Sequence, residues 1–284
     1  MLKYFNTIFN TIKFVLLDVF LIFTLLLILG LSLTLASYDS KANAPKVIFV
    51  GEELEYDVTF LSIKLGTIKI LTLEDENYQN TKVYRSKVFI SSNPNIPFLG
   101  LKAIFNSWMD TTLTTGRYFE GSTKIDKDFW GFQQILFNYP NNYSLQVKKY
   151  YNDEKINDTL INSKNKIVDG GTLFFLARRY SGSKNNIKVP TIMDLSVGDT
   201  YLNFTGKIES IKISSVDYPI KTYYFSGKAD WVGLYGLGDK FEGWFSSDDA
   251  RVPIKAKMNV YVGSVVLELK KWSRGNWAPP KFSS

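Results

Sequence analysis

The densest charged group in the chain is Asp248, Asp249 and Arg251, set in the otherwise apolar stretch from Trp244 to Ile254. Two acids beside an arginine have the composition of a general acid–base pair or a cation site. The same residues suit a polar turn in which an Asp caps the backbone and the arginine meets a carboxylate, and this structural reading is the stronger. Glu74-Asp75-Glu76 and Asp153-Glu154 with Asp158 lack the glycine-bearing spacing of a calcium loop and stand as solvated hairpin tips. Gly233, Gly236 and Gly238 depart from the G-x-G-x-x-G spacing and have no strand–helix unit around them, which suits a loop or a bulged strand. There is no His and no Cys, so imidazole or thiol nucleophiles, Ser-His-Asp triads, disulfides and the usual zinc ligand sets are all excluded. Chemistry would fall to carboxylate, amine, hydroxyl and phenol groups. The sequence points away from an enzyme and calls for no cofactor and no metal.

Aromatic residues, at 15%, are the one compositional excess with a functional reading. Trp108, Trp130, Phe132, Tyr139, Trp231, Tyr235, Phe241 and Trp244 fall mainly where alternation is weak, as at the mouth or crossing loops of a curved sheet. Rings there would line a cavity for an acyl chain or a similar ligand, whereas each ring taken singly fills core. Lys148-Lys149-Tyr150-Tyr151 and Lys270-Lys271-Trp272 interleave bases with aromatics, but a net charge of +7 over 284 residues steers only modestly. Nucleic acid is not expected as a partner; anionic lipid headgroups or acidic glycans suit the same charges better.

These side chains need a frame, and the chain supplies one in two parts. Lys3 and Lys13 precede a run from Val19 to Ala36 without a charge, the pattern of an export sequence. Its length exceeds a signal core of about 7–15 residues and sits near the lower limit of about 17–25 for a span, so residues 1–36 read as a signal peptide or a retained signal anchor. Thr34-Leu35-Ala36 offers a cleavage site; Ala42-Asn43-Ala44 offers another, spoiled by Pro45. The expected location is periplasmic or otherwise exported, with membrane association through residues 14–36, and anchoring to the inner membrane, if the segment is uncleaved. Residues 37–46 form a linker. The remainder, in a chain that is 45% apolar and 21% charged, has the composition of a folded domain.

From Val47 onward the period is two residues. Leu54, Tyr56, Val58 and Phe60 alternate with Glu55, Asp57 and Thr59, and Leu65–Leu73 returns after Ser62-Ile63-Lys64. Alternation recurs around Tyr84–Ile90, Asn203–Ile213 and Ile220–Phe225. It is sharpest at the pair Ile254–Val262 and Val265–Leu269. Such runs predict about ten to fourteen strands over residues 47–272. Asp169-Gly170-Gly171-Thr172 before Leu173–Ala177 and Arg178-Arg179 predicts one short helix near 170–180, with a cap at its start and cations in its last turn. The fold class is mainly β: a large curved antiparallel sheet, or an open or closed barrel, with that helix against it, preceded by an N-terminal hydrophobic export helix. Residues 273–284 form an irregular tail.

Three stretches resemble an exported bacterial family catalogued as domain of unknown function 3108. They are Val50-Gly51-Glu52-Glu53-Leu54-Glu55-Tyr56-Asp57-Val58 leading to Leu65-Gly66-Thr67; Asp169–Phe175; and Trp244-Phe245-Ser246-Ser247-Asp248-Asp249-Ala250-Arg251-Val252-Pro253-Ile254 with Gly263-Ser264-Val265. The resemblance implies a secreted or periplasmic, mostly β domain behind a signal sequence. It carries over no functional residue, because the family has no established activity. The curved-sheet lipoprotein carriers of the bacterial envelope are similar in expected shape, an analogy of fold that no motif carries. The expected function is therefore a non-enzymatic envelope protein that binds a hydrophobic or amphipathic ligand, such as a lipid or lipoprotein acyl chain. The alternatives are a structural or assembly factor holding an envelope protein partner through sheet edges and the basic tail, then a carboxylate-dependent glycan enzyme. An outer-membrane barrel suits the strand count but not the C-terminal Lys281-Phe282-Ser283-Ser284, which lacks a terminal aromatic strand.

Overall fold

The structure, a computed structural model, describes residues 46–96, 100–124, 129–139, 143–231, 240–259 and 264–283, with the side chains of 74–76 excepted. The expected export segment, the candidate cleavage sites and the glycine-rich stretch 233–238 lie outside the described residues.

Among the described residues, alternation yields fourteen strands: β1 (Glu53–Phe60), β2 (Ile63–Tyr78), β3 (Thr81–Ser92), β4 (Lys102–Asp110), β5 (Gly116–Lys124), β6 (Trp130–Asn138), β7 (Ser144–Tyr151), β8 (Glu154–Asn162), β9 (Lys184–Met193), β10 (Ser196–Ile211), β11 (Ile220–Ala229), β12 (Lys240–Ser246), β13 (Pro253–Asn259) and β14 (Ser264–Ser273). They form one antiparallel sheet in the order β8-β7-β6-β5-β4-β3-β2-β1-β14-β13-β12-β11-β10-β9. The sheet is two runs of hairpins joined where β1 pairs with β14, from Glu53 opposite Ser273 to Phe60 opposite Val265. β8 and β9 are its edges and do not pair with each other, so the barrel expectation resolves to an open sheet. The sheet curls enough for Ile192 of β9 to pack with Ile135 and Phe137 of β6 and Leu145 and Val147 of β7.

One helix, α1 (Gly170–Tyr180), enters the concavity between the two edges. The chain leaving β8 climbs beside β9, with Val168 N–H donating to Pro190 O at 2.9 Å and Ile192 N–H to Val168 O at 2.9 Å. It then reverses at Asp169. The Asp169 carboxylate accepts from the amides of Gly171 and Thr172 at 2.9 and 3.1 Å, satisfying two donors at the helix start. Ser107 Oγ donates to the same carboxylate at 2.6 Å and Thr172 Oγ1 at 2.7 Å. Gly171 is required by that contact, because a Cβ there would collide with Ser107 Oγ and lie 2.7 Å from Ser107 Cβ.

A meander places alternate connections at opposite ends. One end, the closed end, holds the chain entering β1, the turns 79–80, 111–115 and 247–252, the C-terminal half of α1 and the tail after β14. The tail is pinned there, with Lys221 N–H donating to Pro280 O and Phe282 N–H to Pro219 O. The other end is a rim made by the β1–β2, β7–β8 and β9–β10 turns and by the described residues at the remaining strand ends.

Candidate functional site

Inward-facing side chains meet one another at the closed end but not towards the rim. There a cavity of about 770 Å³ remains between α1 and both halves of the sheet, within the usual ligand-site range of about 300–1,000 Å³. Leu173, Phe174 and Tyr56 belong to its floor, with walls from Ile68, Val88, Phe105 and Phe119 on one side and Phe225, Phe241, Met258 and Leu267 on the other. Most of these apolar residues are only half-buried although they point inward. Three aromatic rings lie flat against the wall over glycines: Phe105 over Gly121, Phe241 over Gly227 and Phe225 over Gly243, each where a Cβ would overlap the ring.

The charged groups of the lining are already committed, whereas the buried Ser86 Oγ, also in the lining, has no hydrogen-bond partner among the described residues. Burial raises the Asp169 pKa above the ordinary Asp value, a rise that hydrogen bonds from Ser107, Thr172 and Gly171 oppose. Asp194, in the β9–β10 turn, accepts from Lys149 Nζ at 2.7 Å, and its backbone carbonyl accepts from Gln133 Nε2 at 2.9 Å. Lys255 is paired with Glu268 at 2.9 Å. Burial drives the Tyr56 phenol far above its usual range, and its hydroxyl donates to Pro253 O at 3.1 Å. Among the described residues no cluster of three or more acidic side chains could hold a metal ion.

Beneath the cavity, Arg178 of α1 is fully buried and grips Glu52, just before β1, with bonds of 2.6 and 3.0 Å. Its Nη2 also donates to Ala250 O at 3.0 Å. Arg274, beyond β14, donates to the other side of the Glu52 carboxylate and to the carbonyls of Lys46 and Val47. One buried anion thus ties together the chain's entry into the sheet, the helix and the tail.

Of the eight aromatics expected to line a cavity, Trp231 and Phe241 do so, whereas Trp244 borders it from β12 with its ring on the outer face, against Tyr224 at 5.7 Å and under Lys257 at 5.7 Å. The Trp231 indole donates to Thr200 Oγ1 at 2.8 Å and that of Trp244 to Glu209 Oε2 at 2.6 Å. Trp108 does not: Phe105 and Ser107 take the inner face of β4, so alternation turns Trp108 outward, onto Tyr118 at 5.0 Å with Arg85 at 5.3 Å. Phe132 likewise faces out, against Tyr150 at 5.8 Å, because Gln133 and Ile135 point in. Trp130 is exposed at the rim. Tyr139 is a clamp, its hydroxyl accepting from Ile167 N–H at 2.8 Å and donating to Ile167 O at 3.1 Å; burial pushes its pKa up to about 12. Tyr235 lies outside the described residues.

Asp248, Asp249 and Arg251 form the β12–β13 turn at the closed end. Asp248 accepts from Ser246 Oγ at 2.7 Å, Ala250 N–H at 3.2 Å and Trp277 Nε1 at 2.6 Å, while Asp249 is exposed. Arg251 meets no carboxylate among the described residues. It adopts φ +48° and lies 4.5 Å over the Tyr223 ring. The residues that sequence reasoning passed over are Glu52 and Arg274, together with Phe119 in the lining, while Arg178 has in the sequence only the role of a cation in the last helical turn. A fully charged side chain inside an apolar helical stretch was the available signal for Arg178.

The profile of the family described as "Protein of unknown function (DUF3108)" matches residues 55–270, and the chain belongs to that family. No curated protein matches the chain. A crystal structure of a β-barrel-like protein of domain of unknown function DUF1849 from Brucella abortus aligns at a TM-score of 0.55 and 10% identity, covering 81% of this chain and 100% of that one. A putative exported protein with a YmcC-like fold from Bacteroides fragilis aligns at a TM-score of 0.34 and 7% identity, over 79% and 96% of the two chains. The Brucella likeness is one of fold.

Proposed function

We propose that this member of the DUF3108 family is an exported, non-enzymatic envelope protein that holds an acyl chain, or a similar long apolar group, in the cavity above α1. The observation that carries the reading is the half-exposed state of inward-facing apolar side chains around the cavity. A stable core has no reason to leave Phe105, Phe119, Phe174 and Leu267 incompletely packed, since each loses the dispersion contacts and burial that a close-packed interior provides. An occupant restores them. At about 0.8 kcal/mol per buried methylene, ten methylenes provide about 8 kcal/mol, which corresponds to a micromolar Kd before the entropic penalty of association. Against an acid–base enzyme stands the state of the lining carboxylates, because both oxygens of Asp169 are bonded within the protein and Asp194 is held by Lys149. The uncharged run from Val19 to Ala36 behind Lys3 and Lys13 supports an envelope location.

The test is native mass spectrometry and lipid extraction of the chain isolated from its own host. Near-stoichiometric acyl lipid is the expected result, together with displacement of a fluorescent fatty acid probe. Repeated recovery of lipid-free chain that does not take up the probe overturns the reading. The assembly-factor reading keeps one specific observation, the exposed Ile156 and Leu160 on the unpaired edge strand β8. Recovery of lipid-free chain with a stable protein partner would favour it.

A further inference from the structure

The rim carries large apolar side chains that stay exposed, Phe129 meeting the Tyr151 ring at 5.7 Å. Leu61 and Ile63 stand at the β1–β2 turn, Phe129 and Trp130 at the start of β6, and Leu195 and Val197 at the β9–β10 turn, with exposures from 36% at Leu195 to 69% at Leu61. Leu61 is the most exposed, and it is held at φ +45°, a backbone region that suits Gly, Asn or Asp far better than Leu. The equivalent two-residue turns at Gln79-Asn80 and Asn152-Asp153 use polar residues for the same geometry. A strained, solvated leucine at a turn tip opposes both propensity and hydrophobicity.

We propose that this rim seats on the surface of a lipid bilayer, its apolar side chains entering the boundary between headgroups and acyl chains with the mouth of the cavity between them. The six residues sit at three separate places around one opening, so among the described residues they form no single groove or flat face for a folded partner. A fluid interface meets all three at once without shape complementarity. Tryptophan at this level suits the interface, where an amphipathic ring is favoured. Among the described residues the rim's charges are largely neutralised within the protein: Lys64 by Asp57, Lys149 by Asp194 and Lys228 by Asp230. Lys102, Lys124 and Lys240 are nearly balanced by Asp153 and Glu154, none of them in an ion pair among the described residues. Seating is therefore driven by apolar insertion rather than by attraction to anionic lipid. The inference rests on the cavity reading for its purpose, the passage of an acyl chain between bilayer and cavity, but is read by a different signal.

Because the chain has no Cys, one introduced thiol labels one place. Full chains bearing Leu61→Cys or Leu195→Cys, each with an environment-sensitive fluorophore, are mixed with phosphatidylcholine vesicles. Asn80→Cys, at the opposite end, is the control. A site-specific label keeps the readout independent of any insertion by residues 14–36. Expected are a blue shift and a several-fold rise in emission at 61 and 195 and none at 80, unchanged when salt rises from about 0.1 to about 1 M and the Debye length falls from about 10 to about 3 Å. With the label at 195, Leu61→Ser is expected to weaken the response about tenfold, the equivalent of losing about 1.4 kcal/mol of apolar insertion. Rim labels as silent as the control overturn the proposal. So does a response that requires anionic lipid and vanishes at high salt, or one that appears without vesicles as concentration rises, which marks self-association. Uptake of the fatty acid probe with a silent rim overturns membrane seating alone. A responding rim without uptake supports seating and removes the cavity reading.

Discussion

The two ends of the molecule are built from the same strands and the same alternation, yet one is packed and the other hollow. At the closed end Leu54, Ile254 and Leu269 are fully buried, with Trp272 of β14 and Trp277 of the tail laid against them. Towards the rim the same inward faces present half-exposed rings around about 770 Å³ of space. The difference lies in what is brought to the concavity: α1 and the tail fill one half, and no element among the described residues reaches the other. Phe174 and Phe175, consecutive on α1, both border the cavity, but Phe175 is fully buried with Met109 and Leu113 while Phe174 is only half-buried. Alternation alone specifies which residues point inward, not whether anything meets them.

The comparison breaks first at Glu52. Glu52→Gln leaves Arg178 and Arg274 facing each other in the interior without an anion, and a loss of about 3–5 kcal/mol in urea denaturation is expected. Removing the exposed Lys69–Glu53 pair with Lys69→Ala is expected to change stability by less than about 1 kcal/mol. The neighbouring phenylalanines sharpen the contrast next. Phe175→Ala is expected to lower stability by about 3–5 kcal/mol. Phe174→Ala, facing space, is expected to lose much less stability while weakening a fluorescent fatty acid's Kd, and equal stability losses at both positions would erase the distinction.

A smaller effect separates two glycines at the start of α1. Gly171→Ala drives a methyl into Ser107 and is expected to destabilise by about 1–3 kcal/mol. Gly170→Ala meets nothing closer than Met193 Cε at 3.7 Å and is expected to be neutral or stabilising by up to about 1 kcal/mol. Thermal melts of both variants check this. The least effect concerns pH. The folded-state pKa of Asp169 lies above its ordinary value of 3.8, so the folded chain binds more protons, and stability from this group is present below 3.8 and declines as pH rises through the folded value. Asp169→Asn, which still caps the helix, is expected to flatten that decline in stability measured against pH.

Much of the frame was legible in the sequence because its signals are local. Period-two runs mark the strands, and Asp169 before two glycines marks the start of α1, whose observed bounds coincide with the expected 170–180. What escaped was long-range or two-sided. β4 carries large apolar residues on both faces, so size alone drew attention to Trp108, whereas Ser107, buried against Asp169, marks the inner face. Arg178 fits the dipole of α1 by position, but its buried partner Glu52 lies 126 residues away, beyond the reach of any spacing rule. Closure was illegible for the same reason, since whether β8 meets β9 depends on the curl accumulated over the whole sheet.

The glycines beneath Phe105, Phe225 and Phe241 set the bore of the concavity. Each missing methyl lets a ring recline on the backbone instead of standing up into the lumen, so the width offered to a guest is governed by residues that never touch it. A relative could narrow or widen its interior by exchanging alanine and glycine at 121, 227 or 243 while every contacting side chain stayed the same.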